Sequence, residues 1–382
     1  MNKLNRNKNP LHVLALASFL HDMGSDMVFS VWPLFVTGVM GANVAVLGLI
    51  DGLGDSIVSI SQALGGFISD KTKKRKLFVW LGYLFGGISR IGYALSPTWG
   101  WLIPFRLLDR SGKFRGAPRD AIVSEISTDV NRGKNFGILR AMDNYGAVVG
   151  ILLAIFLVDK LGFRNLFLLA ALPSFLAVTL LIISLKEQKA SDIKVYKRFG
   201  FKQLDKNLIL FTLLSAIFAL GTFSYSFLLL AAKNIGFATT SIPVLYLLFT
   251  LIAALTSVRF GKLADSWGRK TVLVISYGLW GLVPILFIFL NTMTAVILAF
   301  IAYGLHKGAF DPVQKAFVAE LSPVNYLAST IGTYQMIIGV CSLPASFLAG
   351  VLWLKLGPTS PFYFSLFLTT ISFILLIFVK RR

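Results

Sequence analysis

Apolar residues run along this chain in long blocks, separated by short clusters of charge, glycine and proline. The blocks fall near residues 10–38, 44–68, 77–96, 99–121, 135–158 and 164–185. After a polar stretch they resume near 207–232, 240–260, 271–290, 293–314, 327–353 and 360–379. A helix needs roughly 20 apolar residues to cross a bilayer, so the pattern predicts an all-α integral membrane protein with twelve transmembrane helices. The first nine residues, with Lys3, Arg6 and Lys8, look like the basic start of a signal peptide. The apolar run behind them is too long for one, holds Asp22 and Asp26, and lacks a small-residue cleavage site. It reads as a retained first helix.

Composition agrees. Hydrophobic residues make up 56% of the 382, charged residues 14%, and the mean hydropathy is +0.75. A water-exposed surface needs roughly 25% charged residues, so the lipid bilayer is the main solvent. Twelve spans leave only short loops and no room for a soluble catalytic domain, which argues against an enzyme. The net charge of +20 would suggest nucleic acid on a soluble chain. Here the basic residues fall mostly on the side that holds both termini, the opposite side having Lys160, Arg164, Lys233 and Lys355. That asymmetry places both termini in the cytoplasm and removes the case for nucleic acid. The lone Cys341 sits in an apolar run, with no zinc spacing around it. There is no GxxxxGK[ST] loop to hold a nucleotide. No metal or cofactor is expected.

The chain repeats itself at an offset of 195. Gly66 to Asp70 recurs as Gly261 to Asp265, Lys74–Arg75 as Arg269–Lys270, Ala121 to Glu125 as Ala316 to Glu320, and Lys160 to Gly162 as Lys355 to Gly357. Each half holds six spans, so an N-terminal bundle over 1–185, a cytoplasmic linker over 186–206 and a C-terminal bundle over 207–382 are expected. Two like-oriented halves suit a secondary transporter that rocks around a midplane site. The loop Gly66-x3-Asp70-Lys71-x2-Lys74-Arg75-Lys76 resembles the signature loop of the major facilitator superfamily, and Gly261-x3-Asp265-x2-Gly268-Arg269-Lys270 fits it better. The first copy departs from it at Lys73, where the family usually has glycine. The resemblance implies the twelve-helix fold of that family, as two pseudo-repeated bundles, and alternating access. It also implies a cytoplasmic gate, for which the candidates are Gly66, Asp70, Lys71, Arg75, Arg119, Gly261, Asp265 and Arg269. A loop that merely signals topology is the competing reading of the lysines.

Charges at membrane depth are costly and point to function. Helix 1 carries His21, Asp22 and Asp26, and helix 2 carries Asp51 and Asp55. Each aspartate pair is spaced i, i+4 and shares a face. Asp22, Asp26, Asp51 and Asp55 are the candidates for proton coupling, because a carboxylate paired in one state and hydrated in another changes its proton affinity. On the fourth span Arg106, Asp109, Arg110 and Lys113 fall on one stripe of a regular helix, with Arg115 and Arg119 on another face. These four, with Arg140 and Asp143 on the fifth span and Tyr246, Tyr303, His306 and Lys307 in the second half, are substrate-cavity candidates. Tyr225, Trp280, Tyr334 and Gln335 extend an aromatic wall. The six aspartates of spans 1–5 nearly balance the basic residues there, so a neutral network that only holds helices together competes with each of these roles. At offset 195 the second half has Gly221, Tyr246, Thr250 and Ile301 in place of Asp26, Asp51, Asp55 and Arg106, which favours function. Gly146-x3-Gly150 on the fifth span is faintly similar to the family's antiporter motif, with Ile151 where that motif has proline. Small-xxx-small spacing also serves helix packing.

The expected function is secondary transport of a small organic solute, by proton-coupled export. The alternative is a proton symporter importing an anionic metabolite, with Arg106, Arg110 and Lys113 as its clamp. Protons and the small-molecule substrate are the expected partners. A monomer, multi-pass in a plasma membrane of bacterial inner-membrane type, is the expected setting.

Overall fold

The computed structural model describes residues 10–128, 132–187, 206–290, 292–322 and 327–380. Most of the expected linker, 188–205, lies outside them, as do the side chains of Asp70 and a few others. The described chain is helical. Its helices are α1 (Pro10–Phe29), α2 (Trp32–Leu34), α3 (Val44–Thr72), α4 (Arg75–Leu95), α5 (Leu102–Ser111), α6 (Gly116–Glu125) and α7 (Arg132–Ser184). These are followed by α8 (Lys206–Gly221), α9 (Tyr225–Ile235), α10 (Ile242–Trp267), α11 (Arg269–Phe289), α12 (Met293–Leu321), α13 (Leu327–Leu356) and α14 (Ser360–Phe378).

Nine segments of the described residues are long and apolar enough to span a membrane. The longest, Lys134–Ser184, turns at Gly162 (φ 72°) and supplies two passages. The charged α1 and the interrupted α5–α6 run complete the twelve. Gly162 and its repeat mate Gly357 (φ 96°) both take the positive φ that glycine permits, so the repeat read from the letters recurs at these two turns.

By packing, the chain divides into two compact units: Met1–Val31 with Ile60–Lys194, and Trp32–Ser59 with Val195–Arg382. The repeat boundary and the packing boundary therefore differ over residues 32–59.

In the first unit α1 lies against both halves of α7. Small residues permit this. A Cβ on Gly146 would stand 2.3 Å from the Phe19 carbonyl oxygen, and one on Gly150 would stand 2.0 Å from that of Met23. The glycine pair is thus a packing device that seats α7 on α1 one turn apart. Leu14, Ala17, Val79, Tyr83, Ile122, Leu139 and Leu181 close the core among α1, α4, α6 and α7.

In the second unit α12 packs on α10 and α11, and α14 on α8 and α11. Its core is aromatic: Phe218 stacks on Tyr277 at 3.9 Å between centroids, and Phe287 on Phe362 at 4.6 Å. The seventh passage is discontinuous. Residues 222–224 leave the helix between α8 and α9, and Ser224 caps α9 by accepting from the Ser226 N–H at 3.2 Å.

Candidate functional site

The loop between α3 and α4 is one residue longer than its repeat mate. Lys73 (φ 55°) and Lys74 separate α3 from α4, whereas Gly268 (φ 89°) alone separates α10 from α11. The structural equivalents are therefore Arg75 with Arg269 and Lys76 with Lys270, one step off the 195 register. Arg75, buried, pairs with Glu125; Arg269 pairs with Glu320 at 3.2 Å and donates to the Ala316 carbonyl at 3.0 Å. Lys76 Nζ donates to the Ile182 carbonyl and Lys270 Nζ to that of Ile377, at 2.8 and 2.7 Å. In each half one arginine thus fastens the loop to the fourth helix of that half, and one lysine caps the carbonyl end of the last helix, where positive charge is favoured. Glu125 and Glu320 were visible as repeat anchors, yet not as these partners.

The other gate candidates are placed as follows. Lys71 and Asp265 are exposed, Gly66 packs closely on Ala117, and Gly261 meets nothing within 4 Å. Arg119 is buried inside the first unit, where it donates to Ser18 Oγ at 2.8 Å and to Asp143 Oδ1 at 3.2 Å.

That pair belongs to a charged network. Arg140 Nη1 donates to Asp143 Oδ2 at 3.4 Å, and the Arg140 guanidinium stands 3.8 Å from Asp120. Asp22, half-buried, lies within electrostatic reach of Asp143, Lys113, Arg115 and Arg119. Deeper in the unit, Arg90 donates from Nη2 to the His21 carbonyl at 3.1 Å and to His21 Nε2 at 3.4 Å, and from Nη1 to the Ala170 carbonyl at 3.3 Å. A guanidinium only donates, so Nε2 carries the lone pair and Nδ1 carries the hydrogen, which goes to Ser174 Oγ at 3.2 Å. His21 is a neutral, fixed ring in this arrangement.

The basic stripe of the fourth span is not one regular helix. α5 ends at Ser111, and Gly112–Arg115 form a tighter 3-10 turn. The turn lies where Gly82 and Gly112 bring two backbones together: a Cβ on either would stand under 3 Å from the other's carbonyl oxygen. Arg106 and Arg110 do share a face, both lying over the Phe29 ring at 4.9 and 4.3 Å. Asp109 is buried beside Arg110 at 3.9 Å. Lys113 lies inside the turn, within electrostatic reach of Asp22, Asp109 and Arg110.

The second unit holds a cavity of about 340 Å³. Tyr225, Tyr246, Trp280 and Tyr303 line it, joined by Phe218, Phe249 and Phe310. Neighbouring rings meet edge-on or tilted, Tyr246 on Phe249 at 4.9 Å and Phe249 on Tyr303 at 4.8 Å. Asp55 supplies a carboxylate to this wall, within electrostatic reach of Tyr303 and Lys307. Lys307 also reaches the cavity, with its ammonium 3.3 Å from the Asp311 carboxylate. His306 Nδ1 donates to the Ser276 carbonyl at 2.8 Å, so this ring too is fixed by its helix neighbours. Ser224, Ser342 and Ser346 add hydroxyls.

Tyr334 is not among the lining residues; it stacks on Phe211 and accepts from Gln314. The lining phenylalanines and serines were missed in the sequence, because isolated Phe and Ser in an apolar helix look the same whether they face lipid, core or cavity. Asp26, half-buried on α1, does not line this cavity, and Asp51 stands behind it.

Comparison with known proteins agrees with this architecture. The sequence profile of the Major Facilitator Superfamily matches residues 14–246 and 209–382. An uncharacterised MFS-type transporter of Methanocaldococcus jannaschii is 39% identical over 378 residues, 97% of this chain and 94% of that one. The multi-drug resistance efflux pump PmrA of Streptococcus pneumoniae is 27% identical over 341 residues, covering 83% and 82% of the two chains. Among solved structures, the nucleoside transporter NupG superposes with a TM-score of 0.75 at 17% identity, over 97% of this chain and 98% of that one. At that identity the likeness shows the fold. The chain belongs to the major facilitator superfamily and is a multi-pass membrane transporter.

Proposed function

We propose that the protein is a proton-coupled exporter of small organic cations, rocking its N-terminal (1–185) and C-terminal (207–382) bundles across a plasma membrane with both termini in the cytoplasm. The observation that carries the reading is the cavity of about 340 Å³, walled by aromatic rings and supplied with the Asp55 carboxylate. The volume lies within the ordinary range for small-molecule sites, and ring faces attract cations. The likeness to an efflux pump supports the outward direction.

In this reading a proton and the cation compete for Asp55. Asp22 and Asp26, in the first unit, are further candidates for proton coupling. The anion-importer alternative needs Arg106, Arg110 and Lys113 to converge on one ligand. Arg106 and Arg110 share the Phe29 ring, but Asp109 stands 3.9 Å from Arg110 and none of the three basic residues lines the cavity.

The test is transport in proteoliposomes. An imposed proton gradient should drive tetraphenylphosphonium against its concentration, a protonophore should stop it, and Asp55→Asn should abolish the coupling. Gradient-driven movement of an organic anion, lost in Arg106→Gln and kept in Asp55→Asn, would overturn the proposal.

A further inference from the structure

Asp51 and Asp55 lie one turn apart on α3, yet only Asp55 lines the cavity. Asp51 is 1% exposed, and its carboxylate accepts from three side chains. Trp32 Nε1 donates to Oδ1 at 2.9 Å; Ser224 Oγ and Ser226 Oγ donate to Oδ2 at 2.7 and 2.5 Å. The donor roles are fixed by chemistry. An indole nitrogen only donates, and Ser224 Oγ already accepts from the Ser226 N–H, which leaves its own hydrogen for the carboxylate. Ser346 Oγ accepts from the Ser224 N–H at 3.1 Å.

These serines are the break in the seventh passage. The carboxylate thus sits against the start of α9, the end of a helix that favours negative charge. Ser224, which Asp51 holds, is cavity wall, as are its neighbours Thr222, Phe223 and Tyr225. The seam beside them is tight. A Cβ on Gly48 would stand 2.2 Å from the Ser346 carbonyl oxygen, and one on Gly52 would stand 2.8 Å from Leu343 Cα. Asp51 lies near the start of α3, the end remote from the Lys73–Lys74 turn.

We propose that Asp51 is a positioning residue, a latch that shuts the cavity at the end remote from the Lys73–Lys74 turn, while Asp55 meets the ligand. The inference rests on the rocking of the two sequence halves proposed above. Trp32 and Asp51 come from the first half, Ser224 and Ser226 from the second, so these hydrogen bonds part whenever that end opens.

The test uses the full chain in sealed vesicles, with Cys341→Ser as background, Thr222→Cys as reporter and a membrane-impermeant maleimide as probe. A second reporter, Lys73→Cys, identifies the face that carries the turn. Either Asp51→Asn or the pair Ser224→Ala with Ser226→Ala should speed labelling of residue 222 from the opposite face by about tenfold or more. That factor corresponds to weakening one charged hydrogen bond. Gly137→Ala, at a position with nothing within 4 Å, should leave that rate unchanged. The serine pair keeps the carboxylate and reads the latch even where Asp51→Asn folds poorly. Unchanged labelling in the folded variants would overturn the latch. So would an Asp51→Asn protein that labels normally and loses cation binding as Asp55→Asn does. Wild type that binds no cation would sink the exporter reading, while the labelling rates would still decide the latch.

Discussion

His21 shows how much one geometry decides. Histidine beside aspartate on a spanning helix could relay protons, although such a lone histidine is more often a hydrogen-bonded structural residue, and the sequence alone leaves both readings open. The guanidinium of Arg90 on Nε2 and the hydroxyl of Ser174 at Nδ1 fix one neutral tautomer, the arrangement of a structural ring. Replacing Ser174 by Ala removes the acceptor from a buried N–H, which costs about 1–3 kcal/mol. The thermal midpoint of the purified protein should fall while cation affinity stays; equal loss of both would give His21 a part in binding. The opposite holds for Trp280, whose ring walls the cavity. Trp280→Ala should weaken cation binding by roughly an order of magnitude, given that ring–cation contacts contribute about 0.5–2 kcal/mol. Calorimetric titration would show this, and unchanged affinity would remove Trp280 from the site.

At the scale of elements, glycine spacing and loop length carry the argument. Gly146 and Gly150 were legible as a pair, and their partner was not. The structure gives it as the backbone of α1 at Phe19 and Met23. Gly150→Ala should therefore sharply lower the yield of folded protein, whereas Gly137→Ala on the same helix, with nothing within 4 Å, should be neutral or slightly stabilising. Equal behaviour of the two would contradict the packing account. Lys73 offers the converse test. Its φ of 55° costs a residue with a side chain roughly 1–2 kcal/mol, so Lys73→Gly should raise the thermal midpoint.

The repeat told in advance that two loops correspond. The one-residue insertion at Lys73 hid which arginines are equivalent, because letter matching favours Lys74–Arg75 over the pairing that Glu125 and Glu320 reveal. The fourth span hid one feature for a related reason: a wheel assumes a uniform period, and the tightening over Gly112–Arg115 leaves no mark in hydropathy.

For the whole molecule, fold and family were legible, since lipid imposes helices and a repeat imposes two halves. Placing the intramembrane charges was not, because a carboxylate that lines a cavity and one that builds its wall share a letter and, at i and i+4, a face. Asp51 and Asp55 separate these roles. The central claim is that Asp55 offers its charge to an organic cation and to a proton in competition. The most direct measurement is calorimetric titration of the wild type and Asp55→Asn with tetraphenylphosphonium at pH 5.5 and pH 8. The account predicts tighter binding to the wild type at pH 8, and weak, pH-independent binding to Asp55→Asn. Equal affinity at both pH values in the wild type, or full affinity and pH dependence retained in Asp55→Asn, would contradict it.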